Sequence, residues 1–345
     1  MSTFAWRGAV EVAEIAVESP AVTGRERVVI DAVVEGAAAT STVGMAPRVA
    51  HGKARQIARD YLELTKPRIS ALVLVTVAVS AFMAHWGPPD PLLLLNTLVG
   101  TALVAASASA LNQHLERKSD SVMERTADRP LPSGRLSDAQ VLWFGGLTIA
   151  SGLLYLAIAV NCLTAVLGAA TWILYVVVYT PLKSRTPLNT VVGAVAGALP
   201  TLMGWTAVGG SLSFSLGGGG VKAATLFLIV YLWQFPHFMA IAWMYRHEYA
   251  EAGLKMLTVV DPSGWRAGMQ AVASALALVP VSLAPILQHA GPVYFCAASV
   301  LGLIYLAAAA AFCYRRDERS ARSLLRVSLV YLPALLALFM FVPLV

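Results

Sequence analysis

Long apolar runs dominate this sequence and alternate with short polar segments. About 20 apolar residues in helical conformation are enough to cross the hydrocarbon core of a bilayer. The pattern predicts nine such helices, and none carries Asp, Glu, Lys or Arg away from its ends. The predicted spans are 69–86, 92–111, 139–160, 163–180, 188–208, 222–244, 267–288, 291–313 and 324–344. The predicted fold class is therefore an all-α polytopic membrane protein with nine transmembrane helices bundled around a central cavity.

The residues ahead of the first span have a different pattern. Residues 1–50 carry six acids and no long apolar run, which predicts a disordered N-terminal extension and not a signal peptide. A second interpretation is that translation starts at Met45. Residues 51–68 predict a short amphipathic helix whose bases suit an anionic membrane surface. The nine-helix domain is then expected over 69–345.

The composition agrees with a membrane protein, and the charge pattern predicts its orientation. Only 13% of the 345 residues are charged and the mean hydropathy is +0.69, whereas soluble domains carry about 25% charged residues. The basic residues that contribute to the net charge of +6 lie on alternate loops, after predicted spans 2, 4, 6 and 8, and the opposite side has only Lys222. By the positive-inside rule, the N-terminus is expected in the cytoplasm and the C-terminus outside. The positive charge is therefore interpreted as membrane topology, with no nucleic-acid partner.

Candidate chemistry first appears at the end of the second span. Asn112, Glu116 and Asp120 are spaced four apart, so on a helix each step turns only about 40° and the three side chains share one face. An amide and two carboxylates are hard oxygen donors, which suit Mg²⁺. Charge at the end of a membrane span is costly and tends to be functional. The column predicts a Mg²⁺ site.

Basic residues near this column favour an anionic ligand, because arginine forks pair well with phosphate oxygens. A second acidic position, Glu248, follows span 6, and a basic segment follows span 4. We therefore predict a metal–diphosphate site in which Glu248 joins Asn112, Glu116 and Asp120 across the central cavity. The candidate diphosphate-binding residues are Arg117, Arg125, Arg129, Lys183 and Arg185. The alternative to a binding site is a solvated loop whose charges only end the helices and set the membrane topology.

His237 lies within the sixth predicted span, in the segment "WQFPH". A histidine in a span often only hydrogen-bonds a neighbouring helix. The alternative is a role at a second substrate, as a metal ligand or a base. The sequence leaves both interpretations open.

These motifs together resemble the UbiA-type intramembrane prenyltransferases, and in particular the branch of that family that modifies haem. The family pattern Asn-x₃-Asp-x₃-Asp corresponds to "NQHLERKSD", with Glu116 at the middle position, and is followed here by "MERTADRPLPSG". Further matches are "YLELTKPRI", "YTPLKSRTPLN" and "WQFPHFMAIAW…EYAEAGLKML", so that the resemblance covers about residues 58–345. Glu116 and Glu248 stand where the family usually has Asp. The longer side chain leaves open which acids bind metal directly and which bind through water.

The resemblance implies the reaction and its components. It implies transfer of the farnesyl group of farnesyl diphosphate to a vinyl group of protohaem IX, with addition of water, giving haem O and diphosphate. It implies Mg²⁺ as cofactor, Asn112, Glu116, Asp120 and Glu248 as catalytic metal ligands, and His237 as the residue at the haem. It further implies a multi-pass protein of the cell (inner) membrane with its active site at the cytoplasmic face, and a haem A synthase as a candidate partner.

Two other functions are consistent with parts of the sequence. One is a UbiA-type prenyltransferase with a different aromatic or tetrapyrrole acceptor, such as a quinone precursor. The other is a transporter, which predicts charges along a path through the membrane. No predicted span has a charge at mid-depth, which argues against transport.

Overall fold

The structure is a computed structural model that describes residues 46–85, 87–215, 219–284 and 291–341. The chain divides into two units, Met1–Gln56 and Ile57–Val345. Of the first unit, only the helical residues 46–56 are described, so the extension predicted over 1–50 lies largely outside the described part. The architecture below is that of the second unit.

The described residues are helices joined by short loops, and all of them from residue 57 onward belong to the second unit. In chain order the helices are α1 (Ala46–Leu64), α2 (Pro67–His85), α3 (Pro91–Asp120), α4 (Glu124–Ala127), α5 (Asp138–Ala159), α6 (Cys162–Leu182), α7 (Asn189–Ala207), α8 (Gly220–Met244), α9 (Arg246–Glu251), α10 (Leu257–Val260), α11 (Trp265–Ser282), α12 (Pro292–Arg315) and α13 (Glu318–Phe341). Within α6, residues Ile173–Tyr179 form a π-helical segment.

The prediction of an all-α membrane bundle is confirmed. Over the described ranges, eight helices are long and apolar enough to cross a membrane. They are α2, α3, α5, α6, α7, α8, α12 and α13. The remaining predicted span, 267–288, corresponds to α11, which packs between α8 and α12. Helix α11 is less apolar because its first turns include Arg266 and Gln270, and residues 285–290 lie outside the described part.

Two helices form the interior of the bundle. In α7 and α8, 67% and 56% of the most apolar stretch is buried, against 22% in α5 and α6. Helix α7 contacts α2, α6 and α8, and α8 contacts α11 and α13. The outer faces of α5 and α12 expose large apolar side chains such as Leu147 and Leu303, as expected of surfaces that face lipid.

The length of α3 positions the polar column. Its N-terminus is capped by Asp90, whose carboxylate accepts a hydrogen bond from the Leu93 backbone NH at 2.7 Å. The helix has 30 residues and is about 45 Å long, whereas the hydrocarbon core is about 30 Å thick. Its last turns, which carry Asn112, Glu116 and Asp120, therefore extend from the apolar layer into a polar end of the bundle.

Close backbone contact between α2 and α7 depends on Gly204. A Cβ atom added there would overlap the backbone carbonyl of Val77, and backbone cannot move aside as a flexible side chain can. Small residues permit such close approach of membrane helices.

We expect Gly204→Ala to destabilise the bundle by about 1–3 kcal/mol, because the added methyl group forces α2 and α7 apart. Gly146→Ala is the matched control: it lies in helix α5 with nothing within 4 Å of its would-be Cβ. Alanine there should be neutral or stabilising by up to about 1 kcal/mol. Thermal unfolding of the two purified variants in one detergent would test this, and equal melting temperatures would contradict the proposed contact.

Candidate functional site

Asn112 is the deepest member of the column and is fully buried. Its Oδ1 accepts a hydrogen bond from Lys66 Nζ at 2.7 Å, and its Nδ2 donates to Thr180 Oγ1 at 3.0 Å. Lys66 comes from the turn between α1 and α2, and Thr180 from the end of α6. The amide thus joins three separate chain segments at one point.

Glu116, one turn further along α3, is paired with Lys183. Their Oε1 and Nζ atoms are 2.6 Å apart, and both side chains are largely buried. The Lys183 ammonium also lies over the Tyr179 ring, 4.6 Å from its centroid. Tyr179 ends the π-helical segment of α6, and such local widening of a helix is frequent at functional sites. The segment ends four residues before Lys183, so it helps to set where this base meets α3.

Asp120 ends α3 and is paired with Arg129, with 2.6 Å between Oδ2 and Nη1. The chain folds back after α3 because the Thr126 hydroxyl donates to the Asp120 carbonyl at 2.8 Å. Gly134 has a φ of +73°, a conformation that costs glycine little and other residues more. These contacts explain why Thr126, Arg129 and Gly134 occur together in the motif "MERTADRPLPSG".

Arg125 connects this loop to the segment after α8. Its Nη2 donates to Tyr249 Oη at 3.4 Å, and its guanidinium lies 4.5 Å from the centroid of the Tyr245 ring. Glu248 lies between these tyrosines in sequence, and its Oε2 is buried with no hydrogen-bond partner among the described residues. A buried carboxylate oxygen left unpaired is costly, which is consistent with a group that binds a ligand.

The basic segment after α6 contacts the segment after α8 as well. The Lys255 backbone NH donates to the Lys183 carbonyl at 2.6 Å, and Asn189 Nδ2 donates to the Lys255 carbonyl at 3.2 Å. The polar ends of α3, α6 and α8 are therefore linked by direct contacts.

Two candidate bases are not brought to the column. Arg117 points to the start of α5, where its Nε lies 3.3 Å from Asp138 Oδ1, and its Nη1 donates to the His114 carbonyl at 2.8 Å. Arg185 is exposed, and no described side-chain contact connects it to Glu116 or Asp120. His237 is in α8, within the apolar bundle, and its Nδ1 lies 2.8 Å from Ser328 Oγ of α13.

Lys66 is the residue of this site that the sequence interpretation missed. The sequence interpretation included it only within the matching segment "YLELTKPRI" and assigned it no role, although a lysine this close to the start of a membrane span is a signal of function. Its φ is +49°, a rare conformation for a residue other than glycine, and such strain clusters at functional sites. Burial lowers the pKa of the Lys66 ammonium to about 7, and the carboxylate of Glu116 acts in the opposite direction. Burial also acts to lower the pKa of Lys183, but the adjacent Glu116 holds that pKa well above its ordinary value.

A surface groove reaches this end of the column. Its volume is about 500 Å³, and both Lys66 and Arg129 line it. Arg59 and Arg68 add two more positive charges, with Glu63 as the acid of the lining. An anionic ligand that enters this groove would meet the bases that contact Asn112 and Asp120.

The donors at the column fit a Mg²⁺ ion that shares its coordination with a ligand. Within the described ranges, no group of three or more His, Cys, Asp or Glu side chains is arranged to hold a metal by itself. Mg²⁺ in proteins usually keeps waters and is held by one or two carboxylates together with substrate phosphates. Glu116 and Asp120, the amide of Asn112 and the unpaired oxygen of Glu248 supply suitable donors.

Sequence comparisons connect this chain with proteins of known family. The UbiA prenyltransferase family matches residues 73–340. "Protoheme IX farnesyltransferase" of Solibacter usitatus (strain Ellin6076) is 42% identical over 292 residues, covering 82% of this chain and 98% of that protein. The protein of the same name from Myxococcus xanthus (strain DK1622) is 44% identical over 285 residues, covering 81% and 93%. "Protoheme IX farnesyltransferase, mitochondrial" of Arabidopsis thaliana is 38% identical, covering 83% and 65%.

Solved structures share the fold at low sequence identity. A digeranylgeranylglyceryl phosphate synthase structure matches with a TM-score of 0.66 and 16% identity, covering 83% of this chain and 98% of that one. A UbiA homologue from Archaeoglobus fulgidus bound to GPP and Mg²⁺ matches with a TM-score of 0.58 and 17% identity, covering 83% and 100%. These likenesses support the helical arrangement described above.

The pairing of Glu116 with Lys183 has a measurable consequence for stability. Lys183→Met should destabilise the protein by about 3–5 kcal/mol, since it leaves the buried Glu116 carboxylate without its partner. The double variant Glu116→Gln/Lys183→Met should recover most of that loss, because neither charge remains. Arg322→Met is the control: its pair with Glu318 is exposed and should contribute less than about 1 kcal/mol. Unfolding midpoints in detergent give the comparison, and additive effects of the two substitutions would contradict the pairing.

Proposed function

The chain belongs to the UbiA prenyltransferase family, and we propose that it transfers the farnesyl group of farnesyl diphosphate to a vinyl group of protohaem IX. Water adds to the same vinyl group, and the products are haem O and diphosphate. The substrates are proposed from the relatives, which match over nearly their whole length at about 40% identity and bear the name protoheme IX farnesyltransferase.

One structural observation carries the proposed chemistry. Each member of the α3 column contacts a basic side chain: Asn112 with Lys66, Glu116 with Lys183, and Asp120 with Arg129. A diphosphate that carries a bound metal ion brings negative oxygens and a positive charge together to these three pairs. The bases can then contact phosphate oxygens while the acids contact the metal.

The leaving group is the centre of the reaction. The bond between C1 of the farnesyl chain and the diphosphate oxygen breaks, and negative charge builds up on the diphosphate. Lys66, Lys183 and Arg129 are fixed in position to stabilise that charge, which is the condition under which electrostatic stabilisation is most effective. Mg²⁺ bound by the acids and Asn112 would neutralise further charge on the same leaving group.

The reaction also requires that bulk water is kept away from the allylic carbon, and the apolar bundle meets this requirement. The allylic carbon that is left must meet the vinyl carbon before bulk water reaches it, and the apolar interior of the bundle excludes water and accommodates the farnesyl chain. A new C–C bond forms, the oxygen of one water adds to the neighbouring vinyl carbon, and that water releases a proton. In this mechanism the column acids are metal ligands and not bases.

We assign the remaining candidate residues according to their positions. Arg125, which contacts Tyr249 and Tyr245, binds the diphosphate from the loop that follows α3. Glu248 binds the metal through its unpaired oxygen, directly or through water. Arg185 is near enough in sequence to Lys183 to bind a substrate phosphate at the rim. Arg117 has partners outside the column, so we give it no role in this proposal.

The same proposal includes orientation and partners. The polar end with the column faces the cytoplasm, the N-terminus is cytoplasmic and the C-terminus is outside, in the cell (inner) membrane. This orientation is supported by the basic residues of the loops after α3, α6 and α8. Haem O would pass to an enzyme that oxidises it further, for which haem A synthase is the candidate partner.

Asp120→Asn tests the proposal directly. Cells without their own haem farnesylation should, when they express the wild-type chain, yield an extracted haem that is more hydrophobic and heavier by one farnesyl group and one hydroxyl group. Asp120→Asn should reduce this product by about two orders of magnitude, because the asparagine cannot supply a metal-binding charge. Asp128→Asn, an exposed acid of the same loop, is the control and should keep full activity. Normal haem O production by Asp120→Asn would remove this carboxylate from the mechanism. If cells that express the wild-type chain make no haem O, the proposed function is wrong.

Lys66→Met tests the residue that the α1–α2 turn contributes. It should raise the KM for farnesyl diphosphate by about tenfold or more, the size expected for one lost hydrogen bond to a charged group, with little change in the KM for protohaem. Lys118→Met, which removes an exposed base of α3, should change neither value. Steady-state kinetics with each substrate varied in turn would decide, and an unchanged KM for farnesyl diphosphate would contradict this role.

A further inference from the structure

His237 is surrounded by contacts that fix the orientation of its ring. The ring stacks on Trp233 with 5.0 Å between centroids and meets the edge of Phe238 at 5.6 Å. Its Nδ1 is 2.8 Å from the hydroxyl oxygen of Ser328, a fully buried residue of α13. A side chain in an apolar bundle with this many fixed contacts has one orientation.

Ser328 is itself held in place by α8. The Trp233 indole NH donates to the Ser328 backbone carbonyl at 2.8 Å, and the Tyr305 hydroxyl donates to the Trp233 carbonyl at the same distance. Helices α8, α12 and α13 are therefore connected through a chain of hydrogen bonds that ends at the imidazole. Polar groups arranged in this way within a membrane bundle are costly and tend to mark a functional position.

The hydrogen bonds around Ser328 determine which nitrogen of His237 carries hydrogen. A serine hydroxyl has one hydrogen, and Ser328 Oγ lies 2.6 Å from the Leu325 carbonyl, which can only accept. Ser328 therefore accepts from His237, and Nδ1 must be the protonated nitrogen. In the neutral imidazole, which an apolar environment favours, Nε2 then keeps its lone pair. Nε2 has no hydrogen-bond partner in the described part of the chain, and the ring is only partly buried.

We propose that His237 Nε2 is an axial ligand to the iron of the tetrapyrrole acceptor and that Ser328 is the positioning residue that selects this tautomer. The inference rests on the proposed function for the identity of the acceptor. Neutral imidazole nitrogen is a common ligand for iron, and metal-bound histidines usually donate their second NH to a fixed acceptor. Ser328 Oγ is such an acceptor.

The position of His237 along α8 fits this role. It lies seven residues before the last residue of that helix, Met244, about 10 Å along the axis from the polar end. An acceptor whose iron is bound at His237 keeps its apolar ring system within the bundle. Its edge extends toward the end of the bundle that carries the column.

Ligand-binding measurements test whether His237 coordinates the haem iron, independently of farnesyl transfer. The full-length chain, purified in detergent, is titrated with protohaem and, separately, with iron-free protoporphyrin IX, and the iron–imidazole vibration of ferrous protohaem is recorded by resonance Raman spectroscopy. We expect wild type to show that band, and His237→Ala to lose it and to bind protohaem more weakly while binding iron-free protoporphyrin unchanged. Added imidazole should restore the band. Ser328→Ala should keep the ligand but shift the band and weaken protohaem binding by about tenfold.

Controls separate this inference from a general loss of structure and from the proposed function. His85→Ala is the control variant. His85 is the last residue of α2 and contacts the Val208 carbonyl, so its replacement should leave protohaem binding as in the wild type. Unchanged binding of iron-free protoporphyrin shows that a variant is folded. If wild type makes haem O but has no iron–imidazole band, the inference is wrong and the function stands. If the band depends on His237 but no farnesylated haem is formed, coordination is supported and the proposed function fails.

Discussion

The pairing of charges at the boundary of the apolar bundle is the interaction on which the arrangement of this protein depends. A carboxylate that leaves water without a partner costs several kcal/mol, and Glu116 and Asp120 are both largely buried at the end of α3. Each is stabilised by a base from a different chain segment. The fold-back of residues 121–136 and the π-helical segment of α6 both bring such a base to α3.

The same pairs give the site its chemical character. Acids and bases that neutralise one another leave the local charge near zero, so the end of the bundle is stable within an apolar surrounding. A ligand that carries a cation and an anion together can satisfy both sets without leaving a charge unpaired. A metal diphosphate has this composition, whereas an isolated anion or cation would leave one set without a partner. Under the proposed function, the constraint on stability and the selectivity for substrate have one physical origin.

Under the proposed function, the bundle separates two kinds of recognition by depth. At the polar end, charge and hydrogen bonding dominate, through Lys66, Lys183 and Arg129. Deeper in α8, aromatic stacking on Trp233 and one serine hydroxyl orient His237. Such an arrangement suits two substrates that are both largely apolar but differ in their polar groups, one ending in a diphosphate and the other carrying a metal within a ring.

The sequence by itself determined the helical membrane fold, the spacing of the α3 column and the family, because hydrophobic periodicity and local motifs depend only on neighbouring residues. Eight of the spans it predicted are apolar enough to cross a membrane, and the weaker one, α11, has polar residues in its first turns. Only the tertiary structure decided which bases meet which acids. Lys66 is 46 residues from Asn112 in sequence, and Arg117, adjacent to Glu116, points toward Asp138 instead. Side-chain partners across helices follow from packing and from the positive φ of a single turn residue, and no local pattern in the sequence records either.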